Sequence, residues 1–134
     1  MYNKFGQFFD GKWHQAEKKE TYVVINPATE EVIGNASKAS SVDIQKALKS
    51  AEKGFDSWKQ FSPWKRAEII RKIANLIREK KNELANWMTL ETGKPLSEGL
   101  AEVSASADIF EWNAEETKRI YGQTIQSRFE EIRN

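Results

Sequence analysis

The stretch LETGKP, residues 90–95, follows a long helical pattern and allows two interpretations. Its Gly-Lys pair suits a phosphate-binding loop, but such a loop has several glycines before Gly-Lys and a Ser or Thr after it. Here Pro95 follows Lys94, and nothing upstream is rich in glycine. Glycine in the left-handed conformation ends many helices, and a nearby proline prevents their continuation. The stretch therefore predicts a helix end at Gly93, with Lys94 in solvent.

Helical periodicity begins near residue 40 and continues for most of the chain. A serine often caps the start of a helix, and an acidic residue in the first turn is stabilised by the positive end of the helix dipole. One helix is therefore predicted to begin at Ser40 or Ser41, with Asp43 in its first turn. Ser62-Pro63 predicts the start of a second helix. The two apolar stripes consist of Ile44, Ala47, Leu48, Ala51, Phe55 and Trp58, and of Trp64, Ala67, Ile70, Ile73, Ala74 and Ile77.

The charged run at 78–83 interrupts the second stripe, which predicts a kink or short break before Leu84, Trp87 and Met88 resume it. A third helix is predicted from about residue 97 to residue 121. Gly122 is expected to end it. Its buried side is predicted to contain Leu100, Val103, Ala107, Phe110 and Ala114. Thr124 and Ile125 are strand-like.

The first third of the chain is predicted to form strands and turns. Asp10-Gly11 lies between apolar pairs and suits a type I′ hairpin turn, which needs positive φ at both central residues. Two β-rich runs, 22–25 and 32–33, flank a turn at Asn26-Pro27, because proline sets one turn dihedral and cannot continue the strand.

Composition excludes several classes of function. The 134 residues include 21 basic and 20 acidic side chains, a formal net charge of +1, which disfavours a nucleic-acid scaffold. No apolar run is long enough to span a bilayer, and the first residues lack the pattern of a signal peptide. The chain has no cysteine, so a disulfide framework, a thiolate metal site and a cysteine nucleophile are excluded for it. A cytoplasmic location fits these properties best.

Individual polar residues give weak indications of a site. His14 is the only histidine and has no co-ligands at metal spacing, so a polar hairpin position is expected. Glu115 and Glu116 point to different helix faces and do not form a natural dyad. Glu102 lies among small residues, and it is either an exposed helical glutamate or part of a contact surface. Core packing is the favoured role of the five tryptophans, because no basic pattern interleaves with them.

The order of the motifs adds a family resemblance. FFDGKW, VINPATEEVIGNAS, a helix, SPWKRAEIIRKIANLIREKKNELANWMTLETGKP and EWNAEETKRIYGQTI follow one another as in the N-terminal part of an NAD(P)-dependent aldehyde dehydrogenase. FEWNAEETKRIYG is particularly similar to the succinate-semialdehyde dehydrogenase branch. The resemblance implies an α/β fold in which residues 1–134 are a mostly helical part of the dinucleotide-binding domain, with short N-terminal β-hairpins. Residues from about 122 to 134 would lead into the oligomerisation arm and begin its strand.

The chain departs from the family pattern at two small positions and one large one. Glu30-Glu31 stands where the family usually has Gly-Glu, and Gln126 stands where it usually has proline. The resemblance also implies catalytic and cofactor residues beyond Asn134, among them the cysteine nucleophile, the glutamate base and the oxyanion-stabilising asparagine. We therefore expect no catalytic residue and no cofactor site in this chain, and no turnover by it alone. NAD or NADP would bind the full-length protein.

The resemblance implies two peripheral sites. Glu102 and Ser106 would line the mouth of the substrate entrance, and Glu91 would lie beside a monovalent cation at the end of the LETGKP helix. The implied partners are the remainder of the dehydrogenase chain, further copies in a homo-oligomer and a small aldehyde, with neither nucleic acid nor membrane. The alternative hypothesis is a stand-alone helical module that self-associates or pairs with a full-length dehydrogenase, because its apolar stripes need covering.

Overall fold

The computed structural model describes residues 6–124, 128 and 129. Strands β1 (Gln7–Phe9) and β2 (Lys12–His14) form an antiparallel hairpin. Asp10 and Gly11 connect them with φ values of 51° and 74°, so both central residues of the turn are left-handed. This confirms the predicted type I′ hairpin.

A second antiparallel hairpin pairs β3 (Thr21–Ile25) with β4 (Val32–Ser37) and confirms the two predicted β-rich runs. Buried Asn26 organises the turn between them. Its side-chain Oδ1 accepts a hydrogen bond from the backbone N–H of Ala28 at 2.9 Å, and its backbone carbonyl accepts one from Glu30 at 2.8 Å. The asparagine side chain thus replaces a backbone acceptor inside the turn.

Helix α1 (Ser41–Trp58) begins as predicted, with Ser40 as its N-cap and Asp43 completing a capping box. Asp43 is buried, and its carboxylate accepts hydrogen bonds from the backbone N–H of Ser40 at 2.9 Å and of Glu17 at 3.2 Å. Because Glu17 lies between the two hairpins, one carboxylate both caps the helix and attaches it to the β-region.

Helices α2 (Pro63–Glu79) and α3 (Lys81–Thr92) are separated by a break at Lys80, which confirms the predicted interruption. Ser62 caps α2, and its Oγ accepts a hydrogen bond from Lys65 N–H at 3.2 Å. Apolar periodicity fails over the charged run, so continuing one helix there would turn the following apolar side chains away from their partners.

Helix α4 (Leu96–Glu116) is shorter than predicted, and Gly122 does not end it. A 3₁₀ turn at Thr117–Arg119 follows directly, and Gly122 is not among the described glycines with positive φ. The Thr117 hydroxyl donates to the carbonyl of Asn113 at 2.9 Å, and the Thr117 N–H donates to the same carbonyl. Thr124 lies in no strand, and Ile125 lies outside the described residues.

Small residues form the core where α4 crosses α2 and α3. The buried apolar residues there are Ala67, Ala74, Ala85, Val103, Ala107 and Ala114. Gly99 on α4 is also buried, and a Cβ at this position would lie 3.1 Å from the backbone oxygen of Ala85. Ion pairs border the crossing: Arg71 pairs with Glu115 at 2.7 Å, and Arg78 pairs with Asp108 at 2.8 Å and with Glu111 at 2.5 Å. The helices approach closely because so little side chain lies between them.

Large apolar residues mostly stay outside this core. Leu48 and Phe55 of the predicted α1 stripe are 57% and 63% exposed. The prediction of core packing is wrong for three of the five tryptophans, because the side chains of Trp13, Trp64 and Trp112 are exposed. The helical periodicity of the α1 stripe is real, but the described residues leave Leu48 and Phe55 mostly exposed. None of the described helices combines the length and the apolar character needed to cross a bilayer.

Replacing Glu30 by glycine should stabilise the chain. Glu30 has a φ of 60°, a left-handed conformation that is strained for a residue with a Cβ. Relief of this strain exceeds the entropy that glycine adds to the unfolded state, so we expect Glu30→Gly to raise the free energy of unfolding by about 0.5–1 kcal/mol. Urea unfolding followed by circular dichroism measures the change. The control Lys18→Gly, at an exposed turn residue without positive φ, should lower stability; equal effects at both positions would contradict the strain argument.

Asp43 should make stability depend on pH. The backbone N–H of Ser40 above all, together with the Ser40 hydroxyl, Glu17 N–H and Lys46, lowers the pKa of Asp43. A lowered folded-state pKa gives stability that is present above the ordinary carboxyl pKa and is lost as the pH falls through the folded-state pKa.

The test is the difference in unfolding free energy between the original chain and Asp43→Asn. We expect it to be largest near neutral pH and to shrink towards about pH 3. Asp56→Asn, which removes only an exposed pair with Lys59, should show a small difference throughout. A constant Asp43→Asn difference across this range would refute the pKa argument.

Candidate functional site

The predicted helix stop in LETGKP is confirmed. Gly93 has a φ of 72°, and its N–H donates to the carbonyl of Thr89 at 2.9 Å. Pro95 is then the N-cap of α4. A left-handed residue lets the chain leave α3 and enter α4 within three residues, 93–95, so that the two helices fold back on each other.

Gly93 has a second role that its sequence context does not reveal. A Cβ on Gly93 would lie 3.1 Å from the backbone nitrogen of Ala28 and 3.1 Å from Pro27 Cγ. The turn at Asn26 therefore packs directly on the end of α3. Two motifs that are far apart in the sequence meet at a glycine because only glycine leaves room for the turn.

Lys94 was predicted to be solvated, and this is wrong. Its ammonium group forms an ion pair with the carboxylate of Glu102 in the second turn of α4, and the Lys94 side chain is only 25% exposed. Glu102 remains 53% exposed. Of the two interpretations of Glu102, an exposed helical glutamate fits the structure, and its contact is with the helix stop of its own chain.

A groove of about 340 Å³ lies between α2, α3 and α4. Its apolar walls are Ile77, Leu84, Trp87, Met88 and Val103. Glu91, Thr92 and Ser106 supply its polar atoms. The structure thus brings Glu91 and Ser106 to the same groove, while Glu102 does not line it.

The groove has little catalytic chemistry of its own. The Thr92 hydroxyl donates to the carbonyl of Met88 at 2.7 Å. Within residues 6–124, 128 and 129 there is no group of three or more His, Asp or Glu residues that could hold a metal ion, so Glu91 could supply only part of a cation site. The entrance role of Glu102 and Ser106 and the cation role of Glu91 stay predictions.

The remaining candidate residues have structural contacts. His14 lies on β2, where its Nε2 is 3.2 Å from the carbonyl oxygen of Phe9, and the two rings stack with centroids 4.0 Å apart. Glu115 contacts Arg71 and Lys118, whereas Glu116 contacts Arg119. Glu115 and Glu116 thus have separate partners, and that they do not act as a dyad stays a prediction.

The fold and motif arrangement define the class. Residues 13–134 match the family model for the aldehyde dehydrogenase family, and the chain belongs to that family. The chain is 39% identical over 118 residues to a glutarate-semialdehyde dehydrogenase of Pseudomonas aeruginosa, covering 88% of this chain and 24% of the relative. It is 40% identical over 116 residues to an NADP⁺ succinate-semialdehyde dehydrogenase of Escherichia coli, a match that covers 87% of this chain and 24% of the relative.

Solved structures agree with this assignment. An NADP-dependent enzyme of Escherichia coli superposes with a TM-score of 0.90 at 38% identity, covering 98% of this chain and 28% of that one. A betaine aldehyde dehydrogenase of Staphylococcus aureus, in complex with NAD⁺, superposes with a TM-score of 0.89 at 32% identity. The match covers 96% of this chain and 26% of that one. The predicted α/β aldehyde dehydrogenase-like fold is confirmed. The chain spans about a quarter of the length of the relatives that it matches.

Replacing Gly93 by alanine should destabilise the chain by about 1–3 kcal/mol, because the new Cβ is strained by the left-handed φ and crowded by the turn. The control is Gly54→Ala inside α1, where a Cβ meets nothing within 4 Å. There we expect stabilisation of about 0.5–1 kcal/mol from helix propensity. Thermal unfolding of both variants compares them, and destabilisation at both positions would contradict the site-specific role of Gly93.

Proposed function

We propose that this chain is the N-terminal scaffold segment of an NAD(P)-dependent enzyme that oxidises an aldehyde to a carboxylic acid. The observation that supports this most strongly is the combination of a family match over nearly the whole chain with large uncovered apolar helix faces. The nucleophile of the reaction is then supplied by sequence beyond this segment, because this chain has no cysteine.

The exposed faces have the character of packing surfaces. Leu48 and Phe55 on α1, and Ile109 and Trp112 on α4, are each more than half exposed. Extended apolar surface marks interaction sites, because leaving it in water costs about 25 cal/mol per Å². In our proposal the remaining dinucleotide-binding domain covers these faces, and residues from about 122 onward lead to an arm that joins copies in a homo-oligomer.

Dinucleotide binding is assigned to the rest of the enzyme. A nicotinamide cofactor requires a glycine-rich turn between a strand and a helix N-terminus, so that backbone N–H groups can approach the pyrophosphate. The described α-helices have their N-caps at Ser40, Ser62, Lys80 and Pro95, and none of these N-caps follows such a turn. The described residues do not fit the cofactor, and in our proposal its contacts come from the rest of the enzyme.

We propose a carboxylate-bearing aldehyde, such as succinate semialdehyde, as the substrate. The support is the presence of glutarate- and succinate-semialdehyde dehydrogenases among the relatives. In this proposal the groove that contains Glu91 and Ser106 borders the substrate entrance, with Glu102 one turn away at its outer edge. Glu91 would contribute one oxygen to a monovalent cation site that later sequence completes.

Complementation of a split enzyme tests this function. The partner is the Escherichia coli succinate-semialdehyde dehydrogenase without the segment that this chain matches. Formation of reduced cofactor from succinate semialdehyde is followed at saturating NADP⁺. We expect neither component alone to be active and the mixture to gain activity, because the chain supplies the missing packing surface. Turnover by the chain alone would overturn its inert role, and a mixture without activity would count against the scaffold.

A matched pair of variants shows whether the apolar faces carry the effect. Leu48→Glu places a charge on the exposed apolar face of α1, whereas Gln45→Glu places one at an exposed polar position of the same helix. We expect the first to abolish complementation, since burying an unpaired carboxylate is costly, and the second to preserve it.

The second candidate is a stand-alone helical module that self-associates, and the same exposed faces favour it. Size-exclusion chromatography with light scattering separates the two functions. A monomer that complements the truncated enzyme supports the scaffold. A stable dimer that Leu48→Glu dissociates, and that does not complement, supports the module.

A further inference from the structure

A basic groove of about 340 Å³ lies between the first hairpin and α1, away from the groove near Glu91. Four lysines and one carboxylate line it, and the full lining is Phe9, Asp10, Lys12, His14, Lys46, Lys49, Ser50 and Lys53. The near-neutral net charge of the chain conceals this local excess of positive charge. The aldehyde-oxidising function proposed above does not use this surface.

The carboxylates in and beside the groove neutralise only part of its positive charge. Glu17 lies 2.9 Å from the Lys46 ammonium and raises the pKa of Lys46, chiefly through this hydrogen bond. Asp10 is 3.9 Å from Lys53, and both side chains are largely exposed. Lys12 and Lys49 form no ion pair with any described carboxylate. At least two positive charges of the groove therefore have no counter-charge from the described residues.

The lysines of α1 also repel one another. Lys46, Lys49 and Lys53 are spaced i, i+3 and i+7, so they follow one helix face over about 10 Å. Like charges at these spacings destabilise a helix. A bound polyanion would remove this repulsion, whereas a single small anion could neutralise only one position along the face.

The hydroxyl of Ser50 adds an uncharged hydrogen-bond donor to the groove. The Ser50 Oγ accepts a hydrogen bond from Asp10 N–H at 2.9 Å, which leaves the hydroxyl proton free to donate to a ligand. The same bond fixes the hairpin against α1. The His14 Nε2 donates to Phe9 O, so the ring is held at the wall of the groove. The groove is thus a set of donors from two elements in a fixed relation.

We propose that the groove between the first hairpin and α1 binds an oligophosphate anion, with Lys12 and Lys49 as its main cationic contacts. Lysine ammonium groups bind phosphate as point charges, and phosphate oxygens accept the hydroxyl hydrogen bond that Ser50 offers. Inorganic pyrophosphate and the diphosphate of a nucleotide share this chemistry. Binding of either anion would not involve the catalytic residues of the family.

Isothermal titration calorimetry with inorganic pyrophosphate at low ionic strength tests the site on the 134-residue chain. The variant Lys12→Gln/Lys49→Gln removes the two uncompensated cations. The control Lys18→Gln/Lys81→Gln removes the same charge outside the groove. We expect the first variant to bind about tenfold or more weakly and the control to stay within about twofold. Equal weakening in both would overturn the proposal, because it would show unspecific attraction by net charge.

A second measurement locates the ligand. In proton–nitrogen correlation spectra, pyrophosphate should shift the amide signals of Asp10 and Ser50, and it should not shift those of the α2–α4 crossing. Shifts elsewhere without shifts in the groove, or no detectable binding, would overturn the proposal. ADP distinguishes the sources: binding of ADP as tight as that of pyrophosphate supports a nucleotide diphosphate, and weaker binding supports the free anion. Sulfate that binds as tightly as pyrophosphate would refute a preference for oligophosphate.

Discussion

Gly93 imposes the constraint on which the helical part of the chain depends. Its left-handed φ ends α3, and its missing side chain admits the turn at Pro27 and Ala28 to within van der Waals distance. Any other L-residue would meet both obstacles at once, strain in its own backbone and overlap with the turn. The LETGKP motif is therefore structural in this chain. It connects the second hairpin, α3 and α4.

The crossing of α4 over α2 and α3 uses the same physical device, small residues that permit close approach. Gly99, Ala85 and Ala107 are buried where the helices meet, and none of the described large side chains is fully buried. Burying an alanine removes little apolar surface from water, so the crossing adds only modestly to the free energy of unfolding. Its main effect is to fix how the helices are arranged. The larger apolar groups lie on outer faces, and our proposal is that the rest of the enzyme covers them.

Local sequence rules predicted most elements and few contacts. The Asp10-Gly11 turn, the Ser40 and Ser62 caps, the break at Lys80 and the stop at Gly93 were predicted, because each depends on the dihedral preferences or hydrogen bonds of neighbouring residues. The end of α4 was predicted wrongly, because α4 passes into a 3₁₀ turn at Thr117–Arg119 before Gly122 is reached. Family resemblance named Glu91 and Ser106 for two different sites, and it did not predict that they line one groove, since no periodicity shows that they meet.

By itself, the sequence determined where helices and turns begin and end, and its motif order indicated the family. Those features are local, and neighbouring residues are sufficient to specify them. Only the tertiary structure decided that Lys94 pairs with Glu102, that the turn at Asn26 rests on Gly93, and that lysines from β2 and α1 line one groove. It also decided which apolar stripes are covered. A stripe shows that a face is apolar, but its burial depends on a partner that is distant in the sequence, and the same alternation of residues suits a covered and an uncovered face.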